Sequence, residues 1–233
     1  MLITRYAQAT AVLEDSGVVP PPVPQDAAPG TLAWLRAQVS RFASGPVHAE
    51  RRRAVVELLA AYDPAELRVR ARALAGVPAD EVAARSFGVG QVAAVAAAAS
   101  GYLTGETSPE ADAAVRELLP LGIPMITVLL QAHASTAALI ANALAHEDGV
   151  TPVEDLLHET LRHDPPLKRT RRVGVEIDLV AANRDPDVFP DPDRFDPSRG
   201  RTPHLTFGHG VRPCPAAGHA LAIAAGYLEG KRS

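Results

Sequence analysis

No other eight residues of this chain constrain it as tightly as Phe207-Gly208-His209-Gly210-Val211-Arg212-Pro213-Cys214. Gly208 and Gly210 allow positive φ angles and let the backbone lie close against a flat partner. The chain's single cysteine follows them at the head of a helix expected from about Ala216 to Leu228. A helix start offers unpaired N–H groups and the positive end of the macrodipole, both of which favour a thiolate at Cys214. Pro215 is tolerated there because an N–H in the first turn has no partner to lose. A lone cysteine is more often a buried, inert thiol, and taken alone Cys214 reads that way. One cysteine also excludes an internal disulfide and suits a reducing compartment.

The rest of the sequence predicts an α-rich fold. Alanine dominates the middle of the chain and β-branched and aromatic residues are few. The proline-dense segment 18–30 reads as an irregular loop. Thr31 caps a helix through Trp34 and Val39, another helix starts near Pro46 and runs to Ala61, and Asp63-Pro64 opens a third. Ala79 to Tyr102 reads as Ala-rich helix broken at Gly88-Val89-Gly90. Pro124 starts the most apolar helix, Met125 to about His146, which should be central and buried. Thr151-Pro152 begins a helix that stops before Pro165, and Val173 to Val180 is a single strand candidate. Asn183 to Arg201 is a long coil of the kind that is often functional. A net charge of −4 gives no reason to expect a nucleic acid or an anionic membrane surface as partner. The N-terminus lacks the basic-then-apolar order of a secretory signal, and the apolar run Leu118–Leu130 carries Pro120 and Pro124 and is short for a bilayer. A cytoplasmic protein is expected.

Three further constellations stand out. Glu159 and Arg162 share a helical face at i and i+3 and can pair. His48 and Arg52 share a face of the helix that follows Gly45-Pro46. Ser135 and Thr136 interrupt the apolar central helix, where either hydroxyl could simply bond back to the carbonyl four residues earlier.

Taken with the cysteine segment, these residues resemble the cytochrome P-450 superfamily, whose cysteine loop reads Phe-Gly-x-Gly-x-(His or Arg)-x-Cys. The resemblance runs from Ile3-Thr4-Arg5-Tyr6 to the last helix and is sharpest in the final third. It implies a mainly α, truncated P-450-like fold with little β-sheet, and residues 1–233 as one haem domain with 183–213 as meander and cysteine loop. It further implies haem b (iron protoporphyrin IX) bound through Cys214 to iron, with Phe207 and Gly208 against the macrocycle. His48, Arg52, Arg212 and Arg172 would meet the propionates, a task that suits cations. A structural network of Glu159, Arg162 and Arg194 follows from Glu-x-x-Arg and Pro192-Asp193-Arg194-Phe195. An acid followed by a threonine would deliver protons on the central helix; here the acid position is Ala134 and the hydroxyl is Ser135 or Thr136.

The family's activity is monooxygenation of small organic molecules, with electrons from NAD(P)H through a ferredoxin or flavodoxin and its reductase. Arg51, Arg53 and Arg201 could attract such an acidic donor. Ala134 opens a second reading, oxidation driven by peroxide or a rearrangement. A third, a scaffold without catalysis, is suggested by what is short: little chain remains for a lid over a substrate pocket, residues 172–183 are brief for a sheet hairpin, and closing strands are lacking. Ala216 stands where a glycine is usual, with Gly218 displaced.

Overall fold

The computed structural model describes all residues, Met1–Ser233. Eleven helices account for most of the chain: α1 (Tyr6–Glu14), α2 (Leu32–Gln38), α3 (Gly45–Ala60), α4 (Pro64–Ala73), α5 (Ala79–Ser86), α6 (Val92–Tyr102), α7 (Pro109–Leu118), α8 (Ile123–Leu144), α9 (Val153–His163), α10 (Leu179–Asn183) and α11 (Ala217–Arg232). A small sheet holds β1 (Leu2–Ile3), β2 (Arg169–Arg172) and β3 (Val175–Asp178) in the order β1-β3-β2. Several starts follow the expected chemistry. Thr31 accepts from the Trp34 N–H, Asp63 from Ala65 and Ser108 from Ala111, which satisfies donors that a helix start otherwise leaves open. The segment 18–30 contains no helix or strand.

Helix α8 is the axis of the main core. It is 22 residues long and apolar enough, by length and composition, to cross a membrane, longer than the run ending at Leu130 suggested. Pro124 does not shorten it because it lies in the first turn. Met125 to Leu130, Thr136, Leu139, Ile140 and Ala143 are buried on it, and it packs against α3, α5, α6, α9 and α11. Helices α4 and α11 form the closest pair: a Cβ at Gly226 would collide with the Arg68 carbonyl, so the two backbones touch only because that side chain is absent. A second, smaller core joins Ile3, Ala9, Leu13, Ile177, Leu179, Ala182 and Leu205.

The sheet corrects the single strand expected over Val173 to Val180. The hairpin instead lies earlier, pairing Arg169 with Asp178 and Arg172 with Val175. Its two-residue turn is Val173-Gly174, with Gly174 at φ 73°, the conformation that tight hairpin turns demand. Ten residues therefore suffice for the hairpin judged too brief. β1 adds in parallel, with Ile3 opposite Ile177. Leu179 and Val180, expected to finish the strand, instead open α10, which Asp178 caps by accepting from the Ala181 N–H.

Candidate functional site

Residues 207–214 form a closed bend. The Cys214 N–H donates to the Phe207 carbonyl at 2.6 Å, and Gly208 and Gly210 take φ 76° and 63°, angles that only glycine adopts freely. Position 210 has a second reason to be glycine, since a Cβ would lie 2.7 Å from the Leu13 carbonyl oxygen and 2.7 Å from Glu14 Cα. The bend is therefore seated on the end of α1, where Val211 N–H donates to the Leu13 carbonyl at 3.4 Å and His209 Nε2 meets Glu14 Oε1 at 2.8 Å. Phe207 is half-buried against the main core.

The Cys214 thiol is open to solvent, yet it sits low among surrounding atoms. That crowding pushes its pKa up, against the downward pull of the Ala216 N–H and of the Arg52 and Arg41 charges. The net direction corrects the expectation of a ready-made thiolate: the free thiol holds its proton. A coordinated metal ion removes that proton outright.

Around the thiol stands a group of cations. Arg52, on α3, donates to the Pro213 carbonyl. Arg212 donates to the Ala43 carbonyl at 3.0 Å and to Ser44 Oγ at 3.4 Å. His48 is pushed below its usual pKa by burial and then by Arg212 and Arg52. Arg172 shares its face of β2 with Thr170, whose Oγ1 accepts from it at 3.1 Å, while Arg169 and Arg171 turn the other way to Glu176. Burial, then Arg41, then Arg212 lower the Arg172 pKa. Arg41 belongs to a single 3-10 turn, Ser40–Phe42, ahead of α3; nothing in its sequence spacing pointed to it. No carboxylate pairs with Arg41, Arg52, Arg172 or Arg212. Clustered like charges without counter-charge are costly unless an anion joins them. No group of three or more His, Cys, Asp or Glu side chains is placed to hold a bare metal ion. A reachable sulfur, a glycine bend and unneutralised cations fit a flat metal-bearing group with carboxylate arms, such as haem.

The bend is anchored from behind by a buried ion pair. Glu159 and Arg162 are both 0% exposed. Arg162 Nε donates to Glu159 Oε2 at 2.8 Å and Nη2 to Oε1 at 2.6 Å. The remaining Arg162 donors reach the carbonyls of Asn183 (3.2 Å), Pro192 (2.8 Å) and Arg194 (3.0 Å), and the Asp196 N–H donates to Glu159 Oε1 at 2.8 Å. Arg194 thus joins through its backbone. Its side chain is exposed, which corrects the expected third arginine, and Arg199 takes that place with Nε 3.6 Å from Glu159 Oε1. The distance is too long for a hydrogen bond, so the contact is electrostatic. Arg199 was missed because it lies beyond the Pro-x-Arg-Phe motif. Asn183 carries the anchor forward, accepting from Leu205 N–H at 2.8 Å and donating to Thr206 Oγ1 at 3.0 Å.

On α8, Thr136 is 2% exposed and faces the core, so it cannot serve an open site. Ser135 is half-buried and donates to the Gln131 carbonyl at 2.7 Å. Ala134, in the position of the expected acid, is exposed. Of the basic residues proposed to face an electron donor, Arg53 and Arg201 are exposed, while Arg51 is tied to the Ala37 and Val39 carbonyls.

Comparison with known proteins places this arrangement. No family model matches the chain. The biotin biosynthesis cytochrome P450 of Bacillus subtilis is 33% identical over 116 residues, 38% of this chain and 29% of that protein. The erythromycin C-12 hydroxylase of Saccharopolyspora erythraea is 35% identical over 119 residues, 39% of this chain and 30% of that protein. The match therefore spans under a third of these relatives' own length. Among solved structures, P450BioI in complex with hexadec-9Z-enoic acid ligated acyl carrier protein superposes with a TM-score of 0.73 at 20% identity, covering 97% of this chain and 83% of that one. That likeness establishes the fold.

Two outcomes are expected. Glu159→Gln leaves the Arg162 charge buried without its counter-charge and should lower stability by about 3–5 kcal/mol in urea unfolding; a loss under about 1 kcal/mol would contradict the anchor. His204 is pushed down to about 4 by burial and then by nearby His158. Its neutral form is favoured in the fold, so the stability it contributes is complete above its ordinary pKa near 6.5 and is lost as pH falls towards about 4. His204→Gln should remove about 3 kcal/mol of that acid dependence; a pH–stability profile parallel to wild type would contradict it.

Proposed function

We propose that this chain is a bacterial-type member of the cytochrome P450 superfamily and that it is a haem-thiolate monooxygenase. One oxygen atom of O2 would enter a small organic substrate of the natural-product kind, the other leaving as water. The observation that carries this reading is an exposed Cys214 at the end of a glycine bend that Arg52 and Arg212 fasten to α3 and the turn before it, neither arginine meeting a carboxylate. A thiolate-held haem, when bound, supplies dioxygen activation with a bias towards O–O cleavage. Residues 1–233 act as one haem-holding unit.

The chain's own residues divide the work. Cys214 gives up its proton on ligation and provides the sulfur. His48, Arg52, Arg212 and Arg172 would hold the two propionates through charge-assisted hydrogen bonds. Gly208 and Gly210, both at positive φ, keep side chains off the bend that would support the macrocycle. Electrons would come from NAD(P)H through a ferredoxin or flavodoxin, and exposed Arg53 and Arg201 would draw in such an acidic donor. A cytoplasmic setting suits a chain with one unpaired cysteine.

Helix α8 favours a second reading for the oxidant. Ala134 has no proton to give, and Ser135 must leave its 2.7 Å bond to the Gln131 carbonyl before it can pass one on. Peroxide brings its own protons and reducing equivalents, so it would support oxidation where dioxygen with a reductase serves poorly. Haem-loaded protein should therefore oxidise a test substrate faster with hydrogen peroxide than with NADPH, ferredoxin and reductase. Ala134→Asp should raise the reductase-supported rate by at least about tenfold, in line with general acid catalysis. An unchanged reductase-supported rate in that variant would contradict a missing proton donor as the cause.

A further inference from the structure

We propose that His163 is an acid-sensitive latch: as a neutral ring it holds the coil 192–195 onto the buried Glu159–Arg162 pair, and on protonation it lets that coil go. The latch is independent of any cofactor. Three consecutive carbonyls of the coil are held from α9. Arg162 donates to those of Pro192 and Arg194, and His163, the next residue, meets the one between them, with Nε2 2.8 Å from the Asp193 oxygen. On the other edge of the ring, Nδ1 lies 3.2 Å from Arg184 Nη2. These two partners fix the proton. A carbonyl accepts and a guanidinium donates, so Nε2 carries the hydrogen and Nδ1 keeps its lone pair.

Neutral imidazole satisfies both contacts; imidazolium satisfies one. A proton on Nδ1 sets N–H against N–H and brings two positive charges together. Arg184 is tethered in place, because its Nε and Nη2 also donate to the His163 carbonyl at 2.9 and 2.6 Å and its Nη1 lies 3.5 Å from Asp193 Oδ1. The ring must therefore turn away and drop the Asp193 carbonyl. The other charges nearby do not offset this clash. Glu159 is spent on Arg162 and on the Asp196 N–H, and Asp164 turns to Lys168. From α8 comes His146, edge-on to His163 at 5.9 Å and stacked flat on Phe195 at 3.8 Å, while Phe195 stands edge-on to His163 at 5.5 Å. Burial first, and then Arg184 and Arg162, hold the His163 pKa below its ordinary value, against the Asp193 carbonyl and Glu159. A lowered pKa means that the fold favours the neutral ring. The latch is thus complete above the ordinary value of 6.5 and is lost as pH falls below it. His163 is half-buried, so solvent protons reach it. Release of the coil slackens the anchor from which Asn183 leads to the root of the cysteine bend.

Amide hydrogen exchange on the full chain, corrected for the intrinsic rate at each pH, reads the latch at two reporters. They are the Arg194 N–H, bonded to the Asp191 carbonyl at 3.0 Å, and the Asp196 N–H, bonded to Glu159. Between about pH 7 and pH 5, wild-type protection at both should fall about tenfold or more, the scale set by carrying a histidine across its ordinary pKa. His163→Gln can donate to Asp193 and accept from Arg184 without titrating. Its protection should match wild type at the upper pH and change by less than about twofold at the lower. His163→Leu should be poorly protected at both, and imidazole nitrogen shifts should show wild-type His163 as the Nε2–H tautomer at neutral pH. A wild-type fall no larger than that of His163→Gln overturns the latch, as does full protection in His163→Leu or an Nδ1–H tautomer. An acid response that survives His163→Gln and disappears in His146→Gln overturns it in favour of His146. All these signals come from the protein, so they read the latch whether or not the chain takes up haem.

Discussion

The structure depends first on one desolvated ion pair. Glu159 and Arg162 have no contact with solvent, and a charge in that position is tolerable only if every donor and acceptor is used. Arg162 meets this condition by gathering carbonyls from Asn183, Pro192 and Arg194. Glu159 does so by accepting the Asp196 N–H. The long coil after α10 is therefore not free to wander. Its carbonyls are the counterparts that the buried guanidinium requires, and Asn183 passes the restraint to Leu205 and Thr206 at the root of the cysteine bend.

From that root to Cys214 the chain is held on two sides. Gly210 rests on the end of α1, and Arg212 grips the turn that leads into α3. A bend fixed in this way keeps its sulfur in one place, crowded by neighbouring atoms yet on a residue that stays exposed. The same restraints gather positive charge from three separate parts of the chain: the 3-10 turn with α3, β2 and the bend itself. Helix α8 contributes shape more than chemistry, because the residues that could handle protons are an alanine, a back-bonded serine and a core threonine.

Much of this was legible beforehand. Helix starts at Thr31, Asp63 and Pro124 followed from side chains that cap or tolerate a first turn, and the cysteine bend followed from its glycine offsets. Periodic and local signals of this kind survive folding because their causes lie within a few residues. What was not legible depended on contacts distant in sequence. Helix α1 has no capping side chain; its first N–H is satisfied by Asp185, at the far end of the chain, at 2.8 Å. The hairpin was misplaced because its first strand is Arg169-Thr170-Arg171-Arg172, which composition alone marks as a solvated charge run. Arg194 and Arg199 exchanged roles because a motif specifies that an arginine is near the buried pair, but loop geometry decides which one turns inward. The raised thiol pKa likewise reflects how many atoms crowd around Cys214, and helix polarity could not reveal that.

The central claim is that the glycine bend delivers the Cys214 sulfur to a haem iron. The most direct measurement is the absorption spectrum of the haem-loaded, reduced protein under carbon monoxide, for wild type and Cys214→Ser. A thiolate-type Soret position in wild type that vanishes in the serine variant is the predicted result. A Soret position typical of a nitrogen ligand in wild type, or identical spectra for the two proteins, would contradict it.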